Sequence, residues 1–405
     1  MTDCTLFTGA QLTDGSIVDL LVNDSRISWI GPMGQCPTSH SSIISLAGHV
    51  VTSSFVEPHA HLDKAFLADR ITNPSGDLMG AIRGLEAVRS TITHDDIVDR
   101  AMRAVQLMSR NGVTSIRTHA DTTISGGLSS VLALLDVKNR CSHFMDLQVA
   151  MLLEWPVTGP AGKEHQALAR DAISAGIDVV GGCPHLDPDP RGAVEFLLGL
   201  ATDTGLPLDL HADENMRSDS SDLEHLADIV ITENLSHQMN ASHCVALSTK
   251  SEIDIDRVSE KVAAAGITVT ALPQTNLFLQ ERGVSSNPAR AITPIHRLQH
   301  AGVVVAAGAD NLQDPFNLVG RGDPLEIASL LMVSAHVTAP EALQMISTNA
   351  HQAVHGATNS LSVGAPANFV ALPAANLRES IAMGPPDRIV VYGGVVLDNQ
   401  IRNRK

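Results

Sequence analysis

The chain has 405 residues, 44% hydrophobic and 18% charged, which supplies a full core and excludes a disordered chain. Its net charge is −17, from 27 Lys and Arg against 44 Asp and Glu, with no basic cluster and only 8 Phe, 2 Trp and 1 Tyr. That balance repels a phosphate backbone and offers too few rings to stack bases, so a nucleic-acid polymer is excluded as a partner.

The first fifty residues predict short strands over Thr5–Thr8, Ile17–Val22 and Arg26–Ile30, with Asp14-Gly15 and Asn23-Asp24 as turns. The opening MTDCTLFTGAQLTDG holds an acid and no apolar run, so no secretory leader is expected. From about Val50 to Ala353 the pattern changes to short apolar runs alternating with longer amphipathic segments. A helix is predicted over His94–Asn111, with Ile97, Ala101, Ala104, Val105 and Met108 on one face, Thr93 as cap and Gly112 as stop. The strand leading to His59 is followed by Val113–Thr118, Leu147–Leu153, Val179–Gly182, Leu208–His211, Gln238–Ser242, Thr268–Ala271 and Val303–Ala307. The last fifty residues return to short strands at Asn368–Leu372, Arg388–Tyr392 and Val395–Leu397.

Strands alternating with helices imply a parallel sheet. The expectation is an α/β protein: a (β/α)8 TIM barrel over residues 50–355, with a small β-sandwich domain formed by both termini, 1–49 and 356–405. An open doubly wound sheet is the alternative. No apolar stretch approaches the ~18–20 residues of a membrane span. The five cysteines form no CxxC pair, which disfavours a thiolate zinc site and a redox dithiol and suits reduced thiols in the cytoplasm.

Four strand ends carry chemistry. His59 and His61 lie two apart at the end of an apolar strand, where period-two geometry turns both imidazoles to one side. His211 ends the fifth strand candidate, with Glu214 three residues on; His243 follows Ala241-Ser242; Asp310 follows the last strand. Any one could be an ordinary polar strand end. Four in succession at the end where barrel enzymes build their sites argue against coincidence. Imidazoles with a carboxylate suit Zn²⁺ or Fe²⁺, and such an ion lowers the pKa of bound water from near 16 to roughly 7.

These residues, together with Asn276-Leu277-Phe278-Leu279-Gln280, Asp314-Pro315-Phe316 and the Val363–Asn368 segment, make the chain resemble the amidohydrolase superfamily, in its bacterial cytosine deaminase branch. The resemblance covers essentially the whole chain. It implies that His59, His61, His211 and Asp310 hold one divalent metal ion. It further implies that Glu214 shuttles a proton to the ring nitrogen, that His243 positions the attacking hydroxide, and that Asp310 also takes the water's proton. Two-metal relatives use a lysine at the fourth strand; Val179–Gly182 has none at its end, which favours one metal.

At the substrate edge the chain departs from the branch. Glu154 stands where a pyrimidine-reading glutamine is expected, and a carboxylate only accepts hydrogen bonds. Asn311 replaces a second aspartate, Lys64 follows His61-Leu62-Asp63 as in relatives acting on N-substituted rings, and Phe316 suits a ring or a pocket wall. The expected activity is metal-dependent hydrolytic deamination of a cytosine-like base or related small cyclic amidine. Removal of an alkylamine from an N-substituted heterocycle, or opening of such a ring, is the alternative. The partners expected are a small heterocycle and water, with no membrane; a homo-oligomer is compatible, although no interface is legible. The other deaminase architecture, which needs a CxxC, is excluded.

Overall fold

A computed structural model describes residues 4–398; residues 1–3 and 399–405, part of the expected terminal domain, lie outside the described residues. Eight parallel strands form one sheet: Phe55–Ala60 (β1), Val113–Thr122 (β2), Asp146–Leu153 (β3), Val180–Gly182 (β4), Leu208–Ala212 (β5), Met239–His243 (β6), Thr268–Ala271 (β7) and Val305–Ala307 (β8). Neighbours in sequence are neighbours in the sheet. A parallel bridge from Ala60 to Asp310, with the Asp310 amide donating to the His59 carbonyl at 3.0 Å, joins the last strand to the first. The ring is closed, a TIM-type barrel and not an open sheet.

The strands run from three to ten residues and are mostly buried, as parallel strands covered by helices must be. The helix His94–Arg110 shows how the cover forms. Thr93 accepts from the Asp96 amide at 3.2 Å, Ile97, Ala101, Ala104, Val105 and Met108 are all buried, and Gly112 leaves the helix at φ +92°. Gly181 in β4 marks a tight point: a Cβ there would lie 2.5 Å from the Asp209 carbonyl and 2.7 Å from that of Met151.

The termini meet in a second, mostly antiparallel sheet, in the order Val395–Val396, Ile389–Tyr392, Phe369–Pro373, His49–Ser53, Cys4–Gln11, Ile17–Asn23 and Arg26–Pro32. A further strand, Ser42–Ser45, pairs with Cys4–Gln11. These strands enclose Phe7, Leu20, Ile27, Val51 and Phe369, with Phe7 and Phe369 edge-to-face at 5.0 Å. This is the expected β-sandwich beside the barrel. Among the described residues no helix is long and apolar enough to cross a membrane, and all five cysteines are free.

Candidate active site

The barrel delivers five histidines to one mouth. His59 lies near the end of β1 with His61 just beyond, His119 sits in β2, His211 in β5, and His243 ends β6. All five are buried, with neighbouring ring centroids 4.1 to 5.6 Å apart. Three bring Nε2 atoms together: His59 to His211 at 3.0 Å, and His211 to His61 at 3.2 Å. Asp310 Oδ1 lies 3.2 Å from His61 Nε2 and 3.8 Å from His59 Nε2.

Burial, reinforced by neighbouring imidazoles, holds His59, His119 and His211 well below the ordinary histidine pKa. Burial likewise brings His243 down to about 4, although Asp310 works against it. These rings are therefore neutral at pH 7, the form that ligates. A pair of neutral rings at these distances is relieved only where one donates its Nε2 proton, and His211 faces two such neighbours with a single Nε2. Neither Asp310 oxygen has a hydrogen-bond partner, and a bare buried carboxylate costs several kcal/mol. A divalent cation among these atoms turns both penalties into coordination, so the donor set fits a metal. Two ligand groupings meet the spacing for an ion, His59, His61 and Asp310, and His59, His119 and His211, each with ligand atoms within 4.8 Å of one another.

Backbone strain concentrates at the same place. His243 has φ +68°, Asp310 φ +63° and Asp213 φ +53°, and a left-handed non-glycine residue costs on the order of 1–3 kcal/mol. Asp213 anchors the loop that carries Glu214: its carboxylate accepts from the Asp222 amide at 2.8 Å, the Leu223 amide at 3.1 Å and the Ser220 hydroxyl at 2.7 Å. Glu214 itself lies 3.6 Å from His243 Nδ1. Burial, with Asp310 adding to it, pushes its carboxyl well above the usual carboxylate range. His243 Nδ1 lies 3.2 Å from Asn276 Oδ1, which leaves His243 Nε2 facing Asp310 at 4.0 Å.

One cavity joins the cluster to the substrate-edge positions. His61, His211, Glu214, His243 and Asp310 line its inner end, and Glu154, Asn311 and Phe316 line it as well. Glu154 Oε2 accepts from the Ile124 amide at 2.7 Å and lies 3.3 Å from His165 Nε2. Asn311 is tied down at both ends, by Thr275 at 3.3 Å and Asp314 at 2.9 Å. Phe316 packs on Leu67, Ile71 and Leu85. The helix Leu78–Val88, absent from the sequence reading, supplies Leu78, Ile82, Leu85 and Glu86 as one wall.

Sequence reasoning passed over His119 and the Asp121 partner of Lys64. His119 was missed because the strand reading stopped at Thr118; β2 runs on to Thr122 and carries a His-Ala-Asp triplet that could have signalled it. Lys64 pairs with Asp121 at 2.8 Å as well as with Asp63 at 3.1 Å, and lies 3.2 Å from His61 Nδ1. Burial opposes its charge, but Asp121 and Asp63 outweigh it and raise the Lys64 pKa. The lysine between β3 and β4, Lys163, opens an outer helix, Lys163–Ala175, and is exposed.

Comparison with known proteins agrees with this geometry. A family model described as "Amidohydrolase family" matches residues 75–401. A pterin deaminase of Rhizobium rhizogenes is 29% identical over 98% of this chain and 91% of its own. The crystal structure of 5-methylcytosine deaminase from Klebsiella pneumoniae superposes with TM-score 0.89 at 28% identity, covering 97% of each chain. N-isopropylammelide isopropylaminohydrolase from Burkholderia multivorans gives TM-score 0.83 at 25% identity, covering 98% of each. With its barrel, its flanking sandwich and its buried His/Asp cluster, the chain belongs to the amidohydrolase family, and is a hydrolase of carbon–nitrogen bonds built to work with a metal ion.

Proposed function

We propose that the protein hydrolytically deaminates a small cyclic amidine, a cytosine-like or related aminopyrimidine ring, and releases ammonia. The observation that carries this reading is Glu214: a buried carboxyl with a raised pKa, beside the metal-type cluster and facing the same cavity. In this reading His59, His61, His211 and Asp310 hold a single Zn²⁺ or Fe²⁺. Such an ion, when bound, would bring the pKa of water to about 7 and so supply a nucleophile at neutral pH.

The chain's own groups do the rest. Asp310 takes a proton from the attacking water, and His243, held at Nδ1 by Asn276, orients that water. As the new C–O bond forms, the C=N electrons move onto the ring nitrogen, and Glu214 delivers its proton there. The proton on Asp310 then passes to the exocyclic amine, the C–N bond breaks and ammonia leaves. Glu214 regains a proton from the new hydroxyl as it becomes a carbonyl. Glu154 accepts from ring N–H groups, Asn311 fixes the neighbouring loop, and Phe316 packs on the ring.

Support comes from relatives that are a pterin deaminase and a 5-methylcytosine deaminase. The pterin ring carries an aminopyrimidinone edge of the isocytosine type, which presents the N–H donors a carboxylate at Glu154 selects. A second reading, alkylamine removal from an N-substituted ring, is favoured by one observation. The apolar wall of Leu78, Ile82, Leu85 and Leu186 could receive an alkyl group, and the N-isopropylammelide hydrolase shares the fold. The test is ammonia release from cytosine, 5-methylcytosine, isocytosine, pterin, creatinine and ammelide-type rings. Ammonia from an aminopyrimidine is the expected result; isopropylamine from N-isopropylammelide, with no ammonia from any ring, would replace the first reading by the second.

A further inference from the structure

His59 differs from the other expected ligands in what stands behind it. Its Nδ1 lies 2.9 Å from the Ser242 hydroxyl, and both residues are fully buried. Ser242 Oγ donates to Asp209 Oδ1 at 3.0 Å and receives a hydrogen bond from Asn240 Nδ2 at 3.1 Å. Asn240 Nδ2 also donates to Asp209 Oδ1, at 2.8 Å. The orientation of that amide is fixed from its other end, where Thr268 and Thr270 hydroxyls donate to Asn240 Oδ1 at 2.9 and 3.0 Å. Arg117 Nη1 donates to Asp209 Oδ2 at 2.8 Å, and its other nitrogens are taken up by Gln148 and the Val354 carbonyl.

With Asp209 ionised against the Arg117 guanidinium, proton counting through this network gives one assignment. A serine hydroxyl has one proton and two lone pairs. The proton is spent on Asp209, which is held by the Arg117 guanidinium, and one lone pair is spent on Asn240. What remains toward His59 is a lone pair, so His59 Nδ1 must carry the proton. Its Nε2 is then a bare lone pair, and Nε2 is the atom that meets His211 and lies near Asp310. Outer partners of this kind fix ring and tautomer, and their loss costs 10–100-fold in metal affinity or activity in general.

We propose that Ser242, backed by Asp209 and Asn240, is a positioning residue that locks His59 as the Nδ1–H tautomer and aims Nε2 at the metal. This rests on the metal reading above and adds to it a relay from Arg117 through Asp209 and Ser242 to His59. Five barrel strands, β1, β2, β5, β6 and β7, contribute to it.

The experiment is Zn²⁺ affinity by chelator competition on the full-length protein, with Ser242→Ala, Ser242→Thr and the wild type. Ser242→Ala removes one oxygen with its three hydrogen bonds and almost no volume, so the fold is retained, as circular dichroism checks. The expected result is roughly 10–100-fold weaker Zn²⁺ binding in Ser242→Ala, with Ser242→Thr, which keeps the hydroxyl, near the wild type. Tight wild-type binding that is unchanged in Ser242→Ala overturns the relay and leaves the metal site standing. A wild type that takes up no Zn²⁺ or Fe²⁺ overturns the metal reading, and the relay with it. Equal weakening in Ser242→Ala and Ser242→Thr assigns the effect to packing and also overturns the relay.

Discussion

At the residue scale the reaction turns on where one carboxyl keeps its proton. Glu214 is buried at the edge of the cluster, and its raised pKa leaves it protonated in the range where an ordinary glutamate is ionised. Replacing it with Gln keeps the shape and removes the proton. Glu214→Gln should lower turnover about 10²–10⁴-fold, the usual worth of a positioned acid, while metal content per chain stays at the wild-type value. Turnover by ammonia assay and metal by elemental analysis check this, and full activity in the variant would sink the proton-shuttle role. The residues that meet at the cluster were readable in advance because each ends or follows a strand, and strand ends of a parallel barrel converge. His119 escaped because it lies inside a strand longer than its apolar run. Ser242 and Asp209 escaped for a different reason: a serine or aspartate in a strand has no pattern of its own, and only the neighbouring strand shows what it touches.

Elements carry the site through the seam where the barrel closes. Glu57 in β1 is buried, burial pushing its pKa up to about 8, and it accepts from the Ala309 amide at 3.0 Å and the His59 amide at 3.2 Å. It thereby ties β1 to the chain just after β8, directly beneath His59 and Asp310. Gly308 makes room for it: a Cβ there would lie 2.3 Å from Glu57 Oε1 and 3.2 Å from Pro58 Cδ. Gly308→Ala should therefore push the seam apart, at a cost of about 1–3 kcal/mol as for other overpacked positions. Both thermal stability and metal affinity are expected to fall, because the seam carries His59 in β1 and leads directly into His61 and Asp310. A variant with a lower melting temperature and unchanged metal affinity would show that the seam supports the fold alone. Element order and the closed barrel were legible from the alternation of apolar runs and amphipathic helices. The helix Leu78–Val88 was not, since it lines a cavity and has only Gly80, Ala81 and Leu85 buried.

For the whole molecule the question is what holds five buried imidazoles together in a chain whose net charge is −17. The barrel core is complete without an ion, so the metal-free chain should fold. It does so with crowded Nε2 atoms and an unpartnered Asp310 carboxylate at its mouth, a penalty that any bound cation relieves. A ligand that binds only the folded state adds RT ln(1 + [L]/Kd), or ~4 kcal/mol at a thousandfold excess over Kd. The melting temperature should therefore rise steadily with added Zn²⁺, fall on treatment with a chelator, and recover when the ion returns. His211→Ala should remove most of that zinc-dependent increment while keeping the metal-free melting temperature near that of the wild type, since the variant also relieves the crowding. Calorimetry across a zinc titration measures both. A wild-type melting temperature indifferent to zinc would mean that the imidazoles are packed as a polar core in their own right, and the hydrolytic reading would lose its nucleophile.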